Sequence, residues 1–153
     1  MRNTRQILAA FALSLAACAP APAPAPKAAP DPVTEEWYAP VTARLAAINR
    51  QAEARLQAGK PDEAASLITQ GQALADRLLA APRPTLPAME AASDLDNLYA
   101  QMLLTNKNYG WARLTYQKNV SRWKHWKPET PDTARRLKLA QDALAECDRR
   151  IAQ

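Results

Sequence analysis

The sequence predicts an all-α domain, and three observations lead to that prediction. The chain of 153 residues contains only three glycines and one phenylalanine, whereas alanine, leucine, arginine and glutamine are frequent. Such residues lose little freedom on entering a helix, and β-branched residues are scarce. Apolar residues also recur every three or four positions along several stretches, which is the spacing of one helix face. The foldable part, residues 33–153, is long enough for one modest core but not for two domains.

Residues 1–17 have the three parts of a bacterial export signal in the required order. Arg2 and Arg5 give a basic start, and residues 7–15 form an apolar run too short to span a bilayer. Leu15-Ala16-Ala17-Cys18 follows directly and resembles the lipobox of bacterial lipoproteins. The resemblance implies cleavage before Cys18, which then carries a diacylglycerol and an N-acyl chain such as palmitate. No other cofactor is expected. The alternative is an ordinary secretory signal that leaves Cys18 as a free thiol.

The residues after the cysteine predict both the location and the spacing of the domain. Enteric-type lipoproteins with an aspartate at the next position tend to stay in the inner membrane. Ala19 therefore favours the outer membrane, with the domain facing the periplasm. Residues 18–32 combine the lipidated cysteine with an Ala/Pro-rich tether, in which each proline fixes its own φ and excludes a helix. We expect an extended spacer without chemistry of its own.

The first two helices are predicted from caps, prolines and apolar stripes. Thr34 is predicted to cap the first helix, with Pro40 either in its opening turn or delaying its start. Gly59 suits a left-handed position at its end, and Pro61 suits the opening turn of the second helix. The two apolar stripes are Trp37, Val41, Leu45, Ile48, Ala52 and Leu56, then Ala64, Leu67, Ile68, Gly71, Leu74, Ala75 and Leu78.

Three further helices complete the prediction. The third begins near Ala88 or Ser93 and ends at Thr105, and the fourth runs from Tyr109 to about Trp126. Thr130, followed by proline, caps the last helix. Short turns join most neighbours, so the expected architecture is about five helices in antiparallel hairpins.

Two of the hairpins share a pattern. Ala58-Gly59-Lys60-Pro61-Asp62-Glu63-Ala64 resembles the middle of a tetratricopeptide repeat, where a turn between two helices is followed by a small alanine. Asn106-Lys107-Asn108-Tyr109-Gly110-Trp111-Ala112 repeats this pattern. The offset of 48 residues between Ala64 and Ala112 differs from the family's period of 34. The resemblance implies a tetratricopeptide-like hairpin array, and an irregular helical bundle is the alternative.

The residues offer little for catalysis or metal binding. His125 is the only histidine and has no evident acid partner, so we predict neither a catalytic residue nor a metal site. Cys147 lies on the apolar stripe of the last helix, which favours a buried small hydrophobe over an intermolecular disulfide. The protein is therefore expected not to be an enzyme. A cell-wall-acting enzyme that uses His125 is the third-ranked hypothesis.

One segment concentrates positive charge. Residues 97–128 contain six lysines and arginines and no acidic residue, interleaved with tyrosines and tryptophans. Tyr109, Tyr116 and Trp123 are seven apart, so this stripe is either core packing or a binding face. Cations beside exposed tryptophan suit anionic surfaces. The candidate binding surface within the Lys/Arg/Trp-rich segment 109–127 is Trp111, Lys118, Arg122, Trp123, Lys124, His125, Trp126 and Lys127.

Two functional hypotheses follow. The first is a membrane-anchored, non-enzymatic interaction or assembly module of the cell envelope, with an envelope protein as its partner. The second is a binder of an anionic envelope component, such as a lipid headgroup, lipopolysaccharide or the cell wall, through segment 109–127. Nucleic acid is not an expected partner, because an exported anchored protein seldom meets it.

Overall fold

The computed structural model describes residues 30–153, so the predicted signal and most of the predicted tether lie outside that range. The described part is all-α, as predicted, and contains no strand. A short 3₁₀ helix at Pro32–Thr34 precedes five α-helices. The helices are α1 (Tyr38–Gln57), α2 (Pro61–Leu79), α3 (Leu86–Thr105), α4 (Tyr109–His125) and α5 (Pro131–Ile151).

Two predicted helix starts are wrong. Thr34 does not cap α1: it belongs to the 3₁₀ helix, where its hydroxyl donates to the Asp31 carbonyl. The third helix begins at Leu86, before either predicted start, because the Thr85 hydroxyl accepts the Ala88 N–H. Pro87 sits in this opening turn, where its missing N–H costs nothing.

The predicted capping of α5 by Thr130 is confirmed. The side chain of Thr130 accepts the backbone N–H of Thr133, and the Thr133 hydroxyl accepts the backbone N–H of Thr130. This reciprocal arrangement satisfies two donors at the helix start.

The helices form two hairpins and a closing helix. The first hairpin pairs α1 with α2, the second pairs α3 with α4, and α5 packs on α4. Helix α3 contacts both helices of the first hairpin. One apolar cluster joins α1, α2 and α3 around Leu45, Leu78 and Leu95. A smaller one joins α3, α4 and α5 around Tyr116 and Cys147.

The two hairpins repeat at the spacing noted in the sequence. Helices α1 and α3 begin 48 residues apart and end 48 residues apart, and α2 and α4 also begin 48 apart. Their turns are alike: Gly59 has φ 70° and Lys107 has φ 60°. The two backbone hydrogen bonds that close the first turn, Gly59 N to Leu56 O and Lys60 N to Arg55 O, recur 48 residues later. Both turns are therefore left-handed helix C-caps of one kind.

Small residues let the helices approach at equivalent places. Ala64 and Ala112, predicted to play this part, are both fully buried. Gly71 lies where α2 meets its neighbours: a Cβ built there would be 2.7 Å from Leu95 Cδ1 and 3.3 Å from Leu45 Cδ1. The equivalent residue of the second hairpin is Asn119, also fully buried.

Within residues 30–153, none of the helices combines the length and apolarity that a bilayer crossing needs.

Candidate functional site

The predicted binding segment is divided by the fold, and its centre lies inside the molecule. Trp123 is 4% exposed, and its indole N–H donates to Ser93 Oγ at 2.9 Å. The guanidinium of Arg136, on α5, lies over the same ring at 5.5 Å from its centroid. Tyr116 is also buried, and burial raises its pKa to about 12. The tyrosine–tryptophan stripe is thus mainly core packing, one of the two interpretations open from the sequence.

Arg122 is the second member of the predicted surface that lies inside. Its side chain is 7% exposed and pairs with Asp96 of α3 at 3.0 Å, while also donating to Asn119 Oδ1. Asn119 Nδ2 donates in turn to Ser93 O and Asn97 Oδ1. Removing any one of these side chains would leave its partners without hydrogen bonds inside the protein. Arg122 and Asn119 therefore hold α4 on α3, and Arg122 does not present its charge to solvent.

The remaining cations are partly neutralised. Lys118 pairs with Asp96 at 3.0 Å, so one carboxylate of α3 bridges two basic residues of α4. Arg113 pairs with Asp148 of α5, and Lys127 lies 3.9 Å from Glu129. The acidic partners are absent from segment 97–128 itself, so its composition overstates the charge that it presents to a ligand.

The exposed members do not form one patch. Trp111, 66% exposed, lies in the first turn of α4, beside the exposed Leu114. Lys124, His125 and Lys127 are exposed at the opposite end of that helix, where Trp126 is half-buried against Trp123. His125 Nδ1 lies 2.8 Å from the Ser121 carbonyl of its own helix.

A groove that the sequence reasoning missed lies between α1 and α3. Its volume is about 660 Å³, and Arg136 of α5 also lines it. Alanines from two helices make most of its floor, with the Tyr38 ring and Pro87 beside them. Ala39 and Ala43 are exposed on α1, and Ala46 and Ala91 lie deeper. We call this feature the α1–α3 groove.

Acidic side chains surround Arg136 where it lines the groove. Arg136 pairs with Asp94 at 2.7 Å, with Asp132 at 2.9 Å and with Glu90 at 3.7 Å. Burial raises the pKa of Glu90 above its ordinary value; Arg136 opposes that rise, and the charges of Asp132 and Asp94 add to it. The charged form of Glu90 is therefore held less favourably than that of a solvated glutamate.

The groove continues towards the C-terminal end of α1 as a smaller, more polar cavity of about 280 Å³. The two cavities share Ala46 and Asp94. Asn49 lines this part and is 7% exposed. Its Nδ2 donates to the Ala91 carbonyl at 2.7 Å, whereas its Oδ1 has no hydrogen-bond partner within the described chain.

The groove was missed because alanine on a helix gives no functional signal. Ala39, Ala43 and Ala46 continue one side of α1, and a run of small residues on a helix side indicates either close packing or an open channel. The sequence does not tell these apart, since the distance between α1 and α3 is set by tertiary packing.

Cys147 is fully buried, as predicted, and burial raises the pKa of its thiol. Among residues 30–153, no group of three or more histidine, cysteine or acidic side chains is arranged to hold a metal ion. Cys18, the predicted lipidation site, lies outside the described residues. Comparison with known proteins finds no family model, no curated relative and no solved structure that matches this chain.

Proposed function

We propose that this chain is a membrane-anchored, non-enzymatic binding module of the bacterial cell envelope. Cys18 carries the lipid anchor, the outer membrane is the favoured location, and the helical domain faces the periplasm. In this proposal the α1–α3 groove receives a segment of another envelope protein. The anchor is supported by the lipobox-like residues 15–18 and the groove by the fold.

The observation that carries the proposal is the groove itself. A concave, mostly apolar space of about 660 Å³ lies within the range of ligand-binding clefts. Its alanine floor leaves room for the side chains of a partner, and the carboxylates and Arg136 on its rim can fix an orientation.

The groove is tested by filling it. Ala43 is exposed on α1 and lines the groove, so Ala43→Arg places a long cationic side chain in the channel without disturbing the core. Ala54→Arg is the matched control: it is the same substitution at an exposed position of the same helix outside the groove. We expect a stoichiometric partner to co-purify from gently solubilised membranes with wild type and Ala54→Arg, but not with Ala43→Arg. Identical partners for all three chains would contradict the proposal.

The anchor is tested separately. Mass spectrometry of the mature N-terminus should show acylated Cys18, and Cys18→Ser should release the protein from the membrane fraction. Buried methylenes contribute about 0.8 kcal/mol each, so loss of the acyl chains should abolish stable attachment. An unmodified thiol, or a Cys18→Ser chain that stays membrane-bound, would overturn this part.

A second candidate function is binding of an anionic envelope component by the outer surface of α4. The exposure of Trp111 and Leu114 favours it, because a tryptophan beside an aliphatic side chain suits a headgroup boundary. Lys107 is exposed just before this helix. Arg122 and Trp123 should be left out of any test, since their substitution would disturb the α3–α4 contact.

The test uses unacylated Cys18→Ser protein, so that the anchor does not mask surface binding. Flotation with phosphatidylglycerol vesicles or lipopolysaccharide should be lost in Trp111→Ala combined with Lys107→Gln. It should also fall with salt. Phosphatidylcholine vesicles are the control, and equal binding to both lipids would remove the basis for this candidate.

A further inference from the structure

The polar rim of the α1–α3 groove has more negative than positive charge. Three carboxylates, Glu90, Asp94 and Asp132, contact the single guanidinium of Arg136. Asp132 is also paired with Arg135, and neither of these two residues lines the groove. Glu90 and Asp94, on α3, are the two acids that line it, and both lie one helical turn apart on the same side of that helix.

Glu90 is the least completely paired of the three acids. Its contact with Arg136 Nε, at 3.7 Å, is longer than a hydrogen bond, whereas Asp94 and Asp132 are within 3 Å of the guanidinium. The Glu90 side chain is only 29% exposed, so water compensates its charge incompletely. A second cation placed beside it would therefore be stabilised at this position.

Asn49 gives an independent indication that the groove takes a polar ligand. Its buried Oδ1 has no partner in the described chain, and an unpaired buried acceptor costs about 1–3 kcal/mol. Asn49 lines the part of the groove that joins the larger cavity at Asp94.

Resting on the proposed function, we propose that the occupant of the α1–α3 groove is a protein segment with a lysine or arginine whose cationic group lies against Glu90 and Asp94. Small apolar side chains of the same segment lie on the alanine floor. An acidic segment is disfavoured, because it would add a third carboxylate beside Glu90 and Asp94, which share the one guanidinium of Arg136. The smaller polar cavity adds one charge of each sign, Glu53 and Arg50, and so leaves this excess of negative charge unchanged.

The experiment selects peptides from a random twelve-residue display library on the acylated full chain held in lipid nanodiscs. The strongest peptide is resynthesised, and its affinity is measured for wild type, Glu90→Gln, Ala43→Arg and the control Asp142→Asn, an exposed acid on α5. Glu90→Gln removes a charge that the fold holds unfavourably, so it should leave folding intact. Circular dichroism checks the folding of each variant.

We expect enriched lysine or arginine next to small apolar residues, and affinity lost in Ala43→Arg but unchanged in Asp142→Asn. Glu90→Gln should weaken binding about tenfold, as should exchange of the peptide's basic residue for glutamine. The two changes should be non-additive when combined, since they remove one contact.

Binding that needs the open groove but shows no basic preference, or no effect of Glu90→Gln, would overturn this inference and leave the proposed function standing. A library in which no peptide is sensitive to Ala43→Arg would contradict both.

Discussion

The first hairpin and the second hairpin have the same backbone plan but are held together by different chemistry. In the first, Gly71 lets α2 approach Leu45 and Leu95, so the contact is tight and apolar. In the second, Asn119 occupies the equivalent place and ties α4 to α3 through hydrogen bonds. One backbone arrangement therefore tolerates either a close van der Waals contact or a polar bridge at the same position.

The difference extends one turn along each helix. Ala75 of α2 corresponds to Trp123 of α4, and both are buried. A small residue suffices where α3 closes the first hairpin, whereas a large ring is needed to fill the junction of α3, α4 and α5. The second hairpin should therefore depend on fewer, larger contributions than the first.

The largest expected effect is at that ring. Trp123→Ala should reduce the free energy of unfolding by about 3–5 kcal/mol, because it leaves a cavity and strands Ser93 Oγ. Urea denaturation measures this. Trp111→Ala, at an exposed tryptophan of the same helix, is the control and should change stability by less than about 0.5 kcal/mol. Equal effects would mean that the second hairpin does not rely on the buried ring.

Next in size is the polar bridge. Asn119→Ala should cost about 2 kcal/mol, since the Arg122 guanidinium loses an acceptor and the Ser93 carbonyl loses a donor. Thermal unfolding followed by circular dichroism gives the change. Gln117→Ala, at an exposed amide two residues away, should be nearly neutral. If Asn119→Ala were as mild, the hydrogen bonds would not be what holds α4 on α3.

The close contact of the first hairpin is tested by one methyl group. Gly71→Ala should destabilise by about 1 kcal/mol, because crowding against Leu95 exceeds the gain in helix propensity. Gly110→Ala is a matched control in a helix with open space around the added Cβ, and it should stabilise by about 0.5–1 kcal/mol. Equal stabilisation by both substitutions would show that an added Cβ at position 71 does not crowd Leu95.

The equivalence of the two turns is tested by substituting the left-handed residue of each, Gly59 and Lys107. Lys107 holds a left-handed φ of 60°, where a side chain is strained, so Lys107→Gly should stabilise by about 0.5–1 kcal/mol. Gly59→Ala, at the equivalent turn, should destabilise by a similar amount. Chemical denaturation of both variants checks the sign. Two changes of the same sign would contradict the equivalence of the turns.

The smallest effect concerns pH. Glu90 on α3 corresponds to Thr42 on α1, so only the second hairpin has an acid there. The pKa of Glu90 is raised in the folded state, so the folded state binds this proton more tightly than the unfolded state does. The stability that this group contributes is therefore present at low pH and falls as the pH rises past the unfolded pKa. Glu90→Gln should therefore be more stable than wild type at pH 7 but not at pH 3. An opposite trend would show that Arg136 dominates.

Much of the fold could be predicted because its signals are local. Gly59, Pro61 and the Thr130-Pro131 pair mark helix ends by backbone chemistry that needs no tertiary contact. The start of α3 is predicted too late because Thr85 lies among Pro82, Pro84 and Pro87, and such a proline-rich stretch indicates a connection rather than a helix cap. Spacing on a helix also could not separate a core stripe from a binding face, because both recur every three or four residues. The charge that the basic segment presents could not be judged either, since its acidic partners Asp96 and Asp148 come from other helices.

The position of Val33 has a consequence for the partner. Val33 lines the α1–α3 groove, so the chain enters the domain at the rim of that groove, while the α1–α2 and α3–α4 turns lie about 30 Å away along the helices. With the proposed anchor at Cys18, the tether would join the domain on the side that carries the groove. A partner embedded in the same membrane would be confined near the groove, and this raises its effective concentration there.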